Sequence, residues 1–137
     1  MPDERTRDDQ RERGAPDPRQ RFGQRAEEFV TRYLRRSGYA IRDRNWRNTS
    51  GELDIVAERD GEIVFVEVRA RHGPLAKARA LALESVNDRK QARLLDLAQA
   101  YLDLHELDQV MWRIDVAAVA VNGTEFSVEI IPDAMAW

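Results

Sequence analysis

The chain of 137 residues contains no cysteine, and this absence excludes disulfide bonds and metal sites built on thiolates. It has only two histidines, His72 and His105, whose spacing fits neither a zinc site nor a catalytic triad. A glycine-rich phosphate loop and a serine elbow are also missing. The lack of cysteine is typical of a reducing compartment, so we expect a cytoplasmic protein.

Long apolar runs are absent as well. The N-terminus is highly charged and lacks the apolar core of a signal peptide. No later stretch approaches the roughly 20 apolar residues that are needed to span a bilayer. We therefore expect a soluble protein with no membrane partner.

The sequence also lacks an excess of basic residues, because 25 acidic residues outnumber 22 lysines and arginines and give a net charge of −3. Proteins that coat DNA are usually basic, so the overall charge argues mildly against a nucleic-acid partner. It does not exclude a nuclease, because a metal site collects carboxylates and phosphate contact needs only a local basic face.

The chain divides into a charged tail and one domain. Residues 1–21 have almost no apolar side chain and mix both signs of charge with proline and glycine. Burial there cannot offset the entropy of ordering, so we predict a disordered tail. From Phe22 apolar residues recur at helical spacing until Ser37-Gly38, and we assign 22–137 to a single domain.

The rest of the pattern predicts a mixed sheet. Strands are predicted at 39–46, 51–59, 62–71, 110–121 and 124–131. Asp60-Gly61 and Asn122-Gly123 are two-residue hairpin signals. A right-handed crossover makes the fourth strand parallel to the third. The predicted class is therefore α/β, with an αβββαβ core, a C-terminal hairpin strand and helices on the sheet faces.

The crossover between the third and fourth strands is predicted to be helical. Residues 74–83 are ambiguous between a loop and a loop with a short helix. Residues 85–88 resemble a capping box with Ser85 at the N-cap, and we expect it to open a helix that runs to about His105.

The turn at 60–61 fixes the predicted register of the second and third strands. One side of this hairpin is mixed and carries opposed pairs, Val56 with Phe65, Asp54 with Glu67 and Glu52 with Arg69. The other side is apolar and consists of Leu53, Ile55, Ala57, Val64, Val66 and Val68.

Two carboxylates therefore face each other, Asp54 and Glu67, with Cβ atoms about 4.5–5.5 Å apart. Two bare anions at that distance repel by on the order of 1–3 kcal/mol at an intermediate dielectric. A shared proton, a basic side chain or a cation relieves the repulsion, and Mg²⁺ is a natural candidate because it binds one or two carboxylates. The alternative is an exposed charge ladder in which Arg69, Arg71 and Glu52 neutralise the pair.

These motifs point to a family. GELDIVA at 51–57 and VFVEVRAR at 64–71 resemble the YraN-like family of uncharacterised bacterial proteins, which is placed in the PD-(D/E)xK, restriction-endonuclease-like superfamily. The resemblance covers 22–134 and extends to Gly23, Ala26-Glu27, Gly38-Tyr39, Asn45, Lys90 and Arg113-Ile114-Asp115. It implies a restriction-endonuclease-like fold. It also implies a homodimer, because resolvases of that superfamily are dimers.

The superfamily pattern implies roles for the matching positions. Asp54 and Glu67 would bind Mg²⁺ or Mn²⁺, with the backbone carbonyl of Val68 as a further ligand. Glu27 would correspond to the helix carboxylate of the Holliday-junction-resolvase branch, and the alternative is a solvated helix glutamate such as Glu28. The implied activity is that of an endonuclease, which hydrolyses phosphodiester bonds in structured or branched DNA.

The chain departs from the pattern at one catalytic position, where Arg69 replaces the usual lysine. Lysine can lose its proton and help to generate hydroxide, whereas arginine effectively cannot. Arg69 is then a phosphate clamp or a transition-state stabiliser, or the site binds without cutting. Lys90 is a candidate replacement for the missing lysine, and a helix-surface lysine is the alternative.

Three hypotheses follow. The first is a metal-dependent endonuclease whose Arg71, Lys90 and Arg93 contact the nucleic acid; for Lys90 and Arg93 the alternative is a solvated helix face. The second is a nucleic-acid-binding module with a degenerate site. The third is a protein-interaction domain that has kept only the fold.

Overall fold

The computed structural model describes residues 17–135, which form three helices and five strands. In chain order these are α1 (Pro18–Arg36), β1 (Ala40–Asn48), β2 (Gly51–Arg59), β3 (Glu62–His72), α2 (Leu75–Ser85), α3 (Asp88–Leu104), β4 (Trp112–Asn122) and β5 (Glu125–Ile131). None of the helices in this part of the chain is long and apolar enough to cross a membrane.

The strands form one mixed sheet in the order β1-β2-β3-β4-β5. β3 and β4 pair in parallel, and the other neighbours pair antiparallel, which confirms the predicted crossover. Asp60 and Gly61 both have positive φ angles, 53° and 78°, as a two-residue hairpin turn requires. The pairing of Val56 with Phe65 confirms the predicted register at this end of the hairpin.

Helices cover both faces of the sheet, and each face has its own core. On one face α1 contributes Ala26, Val30 and Leu34 to a buried cluster with β2, β3 and β4. On the other face α3 contributes Leu97 and Tyr101 to a second cluster, and α2 joins it. The predicted α/β class with helices on the sheet faces is therefore confirmed.

The first helix begins earlier than predicted. Asp17 is its N-cap and accepts a hydrogen bond from the backbone N–H of Arg19 at 2.9 Å, and Pro18 occupies the first turn, where its missing N–H costs nothing. The predicted tail therefore ended too late, because residues 18–21 belong to α1. Its remainder, 1–16, lies outside the described residues.

The prediction for the crossover was wrong in one detail. The ambiguous segment forms the complete helix α2, and Ser85 is its last residue rather than the N-cap of α3. The Ser85 hydroxyl donates to the carbonyl of Ala82 at 2.7 Å and accepts from Nε of Arg69, so it is not available as a cap. Asn87 caps α3 instead and accepts from the backbone N–H of Lys90 at 3.0 Å.

The prediction for the open end of the hairpin was also wrong. The β2–β3 pairing ends at Ile55 with Val66, so the expected opposition of Asp54 and Glu67 is not part of the ladder. Leu53 packs with the α3-side core rather than with Ile55. The regular alternation of faces in β2 therefore breaks at Asp54, where the two strands part.

Candidate functional site

A cleft of about 400 Å³ opens where β2 and β3 separate, between α1 and α3. Its charged lining comes from all four of these elements and consists of Glu27, Glu52, Asp54, Glu67, Arg69, Lys90 and Arg93. Gly51 also lines it, with Cδ1 of Leu97 only 3.4 Å from where a Cβ would stand, so α3 approaches the start of β2 closely.

Asp54 lies in the gap between the parted strands. Its Oδ2 accepts a hydrogen bond from the backbone N–H of Val68 at 2.9 Å, and so replaces the strand partner that the broken ladder no longer supplies. Burial raises the pKa of Asp54, whereas the bond from Val68 and the charge of Arg69 lower it, and the net shift is upward.

Glu67 is buried with only 8 % of its surface exposed, and its carboxyl group hydrogen-bonds to that of Asp54. Burial, followed by the charge of Asp54, raises the pKa of Glu67 to about 8. Arg69 and Lys90 act in the opposite direction. A shared proton relieves the repulsion between two carboxyl groups placed in this way. The prediction that the two acids meet is confirmed, although a strand ladder does not align them.

Arg69 covers the part of the cleft that the superfamily pattern assigns to a metal. Its Nη1 lies 2.7 Å from Oε1 of Glu67 and donates to the carbonyl oxygen of Val68 at 3.4 Å. Its Nε donates to Oγ of Ser85 at 3.1 Å. A guanidinium thus contacts two of the three predicted metal ligands, and α2 holds it there.

The third acidic position is supplied by α1. Glu27, Glu52 and Asp54 each offer a carboxylate oxygen, and the three oxygens lie within 4.8 Å of one another. Burial raises the pKa of Glu27 to about 7, helped by the charges of Asp54 and Glu52 and opposed by a hydrogen bond from Asn45.

Asn45 connects two of these carboxylates. In the side-chain orientation that satisfies its hydrogen bonds, its amide nitrogen donates to Oε2 of Glu27 at 3.0 Å and to Oε1 of Glu52. Its backbone has φ of 53°, a left-handed conformation that asparagine tolerates better than most residues. Glu52 is paired with Arg47 at 2.9 Å and not with Arg69 as the register had predicted.

Asn45 and Glu52 are site residues that the sequence argument did not assign. The sequence predicts Glu52 opposite Arg69, as part of a possible charge ladder, and indicates Asn45 only through the family resemblance. A usable signal was present, because asparagine is disfavoured inside a strand unless its backbone or its amide has a special task.

The remaining predicted residues fall in two places. Lys90 and Arg93 line the cleft, and the charge of Lys90 acts on Glu67. Arg71 is exposed and borders a separate, shallow groove with Ala78 of α2. The structure therefore brings all the named acids together with two of the three predicted phosphate-contacting residues.

The donor set fits a hard divalent cation. Carboxylate oxygens are the preferred ligands of Mg²⁺ and Mn²⁺, and the oxygens of Glu27, Glu52 and Asp54 are close enough to face one ion. They come from α1 and β2, which pack on a common core. This cluster shares Asp54 with the predicted metal ligands, but its other two members are Glu27 and Glu52 instead of Glu67 and Val68.

Comparison with known proteins gives the chain its relatives. The sequence model of the uncharacterised protein family UPF0102 matches residues 26–119. A UPF0102 protein of Roseiflexus castenholzii is 45% identical over 120 residues, which cover 85% of this chain and 94% of that protein. UPF0102 proteins of Chloroflexus aurantiacus and Myxococcus xanthus are 45% and 41% identical, over 79% and 89% of this chain and over 86% and 94% of their own lengths.

Proposed function

The chain belongs to the UPF0102 family, and we propose that its acidic cleft is the centre of a Mg²⁺- or Mn²⁺-dependent endonuclease that hydrolyses phosphodiester bonds in structured or branched DNA. One observation carries the proposal. Four carboxylates from α1, β2 and β3 converge at a break in the sheet, and cationic side chains from β3 and α3 line the same cleft. The resemblance to the PD-(D/E)xK superfamily supports the same chemistry.

The acidic residues hold the cation in this proposal. Glu27, Glu52 and Asp54 would bind it, because their oxygens already lie within reach of one another. When bound, the cation supplies Lewis acidity, which acidifies water and offsets charge on the phosphoryl oxygens. Asn45 keeps Glu27 and Glu52 in place by donating to both.

The basic residues act on the phosphodiester. Arg69 offers a planar guanidinium that suits two phosphoryl oxygens, and Glu67 with Ser85 fixes its orientation. Lys90 and Arg93 would contact the backbone of the nucleic acid from α3. An arginine side chain does not serve as a general base, so the role of Arg69 is to stabilise charge.

A metal-dependent cleavage assay tests the proposal. Fluorescently labelled forked, flapped, four-way and linear duplex DNA are incubated with Mg²⁺, with Mn²⁺ and with EDTA. We expect cleavage of a branched substrate that EDTA abolishes, and a loss of at least about 100-fold in Glu27→Gln, because one ligand charge is removed. Glu28→Gln is the matched control, one position along the same helix, and is expected to retain the wild-type rate.

A second candidate is a nucleic-acid-binding module that does not cut, which the position of Arg69 favours. Its guanidinium contacts Glu67 and the carbonyl of Val68, so a fixed positive charge stands where the superfamily has its metal. Metal-independent binding of branched DNA by the wild type, without cleavage under any metal condition, would select this candidate. Cleavage that survives in Glu27→Gln and in Asp54→Asn would refute the proposed site.

A further inference from the structure

A second groove, away from the acidic cleft, lies between α1 and the β4–β5 hairpin. Its volume is about 310 Å³, and it is lined by Phe29, Arg32, Tyr33, Arg36, Thr124 and Phe126. We call it the aromatic–arginine groove. Both the groove and the acidic cleft are lined by residues of α1. Glu27 of the cleft and Phe29 of the groove are two positions apart, so their side chains project from different sides of the helix.

The groove has an aromatic floor. The rings of Phe29 and Phe126 have centroids 5.5 Å apart, and both side chains are only half-buried. Tyr33 is 41% exposed. Arg25 places its guanidinium 5.5 Å from the centroid of Phe126. Partly exposed rings therefore lie next to guanidinium groups.

The rim of the groove is basic although the whole chain is acidic. α1 contains six arginines and two glutamates. Among residues 17–135, Arg32 and Arg36 form no ion pair, whereas other arginines such as Arg42 and Arg79 do. Glu28, one turn before Arg32, offsets part of this charge.

The acidic residues of β5 do not face the groove. Phe126, Val128 and Ile130 pack on the α1 side of the sheet, so Glu125 and Glu129 project from the opposite side. Glu129 is paired there with Arg79 of α2 at 2.8 Å. The positive charge of α1 therefore remains uncompensated by the neighbouring strand.

We propose that the aromatic–arginine groove binds an unpaired stretch of nucleic acid. Exposed rings stack on bases, which duplex DNA keeps buried in its own stack, and arginines pair with successive phosphates. One consequence rests on the proposed function. If the cleft cuts DNA, its substrate carries a single-stranded arm, and α1 lies between that arm and the acidic residues.

The binding test is made in EDTA, so that its outcome does not depend on catalysis. Fluorescence anisotropy at low salt compares a labelled oligothymidine of 20 nucleotides with a blunt duplex of 20 base pairs. We expect the full-length protein to bind the single strand at least about tenfold more tightly, because stacking platforms need unstacked bases.

Matched variants separate the groove from general electrostatics. Arg32→Gln with Arg36→Gln removes two charges from the groove, and Arg19→Gln with Arg35→Gln removes two from elsewhere on the same helix. We expect the first variant to lose about tenfold or more in affinity and to reduce the slope of log K against log salt by about 1.4, which is two single-strand contacts. The second variant is expected to change by less than about threefold.

The aromatic part has its own variant. Phe126→Leu keeps an apolar side chain against Phe29 but removes the ring, and circular dichroism confirms that the fold persists. We expect at least about a fivefold loss for the single strand and no change for the duplex.

Several outcomes overturn the inference. These are no binding of the single strand at low salt, equal losses in both double variants, or a duplex affinity as high as that of the single strand. A dimer in light scattering that only the groove variant dissociates, with DNA affinity unchanged, assigns the groove to a second copy of the chain. If Glu27→Gln binds the oligonucleotide normally and no substrate is ever cut, the proposed function fails while the groove assignment stands.

Discussion

At the scale of single residues, the protein keeps an unfavourable group of acids together. Glu67 is almost fully buried beside Asp54, and a proton and one arginine offset the repulsion. A site of this kind lowers the stability of the free protein, because the carboxyl groups would be ionised in water. Such stored instability is common where a ligand later supplies the missing charge.

The pH dependence of the stability should show whether Glu67 is protonated in the folded protein. The pKa of Glu67 is raised from 4.5 to about 8 in the folded chain, so between these values the folded state holds a proton that the unfolded state has lost. Stability is therefore expected to fall as pH rises through this window without metal. In Glu67→Gln we expect a flatter profile and a higher Tm than wild type at pH 8, measured by calorimetry.

Glu58→Gln is the control for this experiment. Glu58 lies on β2 and pairs with Arg42 outside the cleft, so its loss should leave the slope of the pH profile unchanged. A Glu67→Gln profile parallel to that of wild type would mean that Glu67 is already ionised in the folded protein.

Arg69 is expected to restrain the site. Its guanidinium holds Glu67, the Val68 carbonyl and Ser85 together, which a lysine ammonium cannot do in the same geometry. We expect Arg69→Lys to bind Mn²⁺ several-fold more tightly, because Glu67 and the Val68 carbonyl are released and can join Glu27, Glu52 and Asp54 around the ion. We also expect it to cut faster, because a titratable amine is introduced. Calorimetric metal titration and cleavage rates measure both effects.

Arg71→Lys is the control, because Arg71 lies on the same strand but is exposed. We expect it to leave the affinity for Mn²⁺ and the cleavage rate unchanged. Weaker metal binding in Arg69→Lys would instead show that Arg69 is an integral positioning residue of the site.

At the scale of elements, a second charged network holds the opposite end of the sheet. Asp115 is only 2% exposed and accepts from Nε of Arg113 at 2.9 Å and from the backbone N–H of Asp133 at 2.9 Å. Arg113 also binds Glu62 and the hydroxyl of Tyr39. The network therefore joins β3, β4, the start of β1 and the segment after β5.

Breaking this network should be costly. Asp115→Ala removes the buried acceptor of both Arg113 and the Asp133 N–H, while Arg113 keeps its pair with Glu62. We expect a loss of about 1.5–3 kcal/mol in the free energy of unfolding. Urea denaturation measures it. Glu129→Gln, which breaks an exposed pair, is expected to cost less than about 1 kcal/mol. If both variants lose the same free energy of unfolding, the buried Asp115–Arg113 pair stabilises the fold no more than the exposed Glu129–Arg79 pair does.

The elements also show which parts of the fold a sequence can reveal. The β2–β3 turn was predicted correctly because Asp60-Gly61 is a local signal. Leu53 was assigned to the wrong face because the strands part at Asp54, where the Asp54 side chain accepts from the Val68 N–H, a contact that strand alternation does not include. The start of α3 was misplaced because Ser85 bonds to Arg69, a contact that capping rules do not include.

The candidate site likewise has a part that the sequence predicts and a part that it does not. Asp54, Glu67 and Arg69 lie on one hairpin, so their spacing in the sequence was enough to predict that they are close together. Glu27 required the family resemblance, since its side of α1 is set by packing on the sheet. An asparagine inside a predicted strand indicates that Asn45 has a special task, but the task itself depends on a left-handed backbone at one position of β1, which the sequence does not specify.

At the scale of the whole molecule, a divalent metal should act as a stabilising ligand. Binding to the folded state alone raises the free energy of unfolding by about 2.7 kcal/mol when the metal is at 100 times its Kd. We expect millimolar Mg²⁺ or Mn²⁺ to raise Tm, and more at pH 8 than at pH 6, because protons compete for the same carboxylates.

Sodium chloride at matched ionic strength controls for screening, and Glu27→Gln should lose most of the shift. A Tm that metal leaves unchanged at both pH values would exclude the cleft as a metal site in the free protein.

The parallel pairing of β3 with β4 also governs the order of events in folding. Ile63 pairs with Trp112, so a loop of about fifty residues must close before that pairing forms, whereas the β2–β3 hairpin closes across two residues. We expect the hairpin to form early and α3, with Lys90, to dock in the slower step.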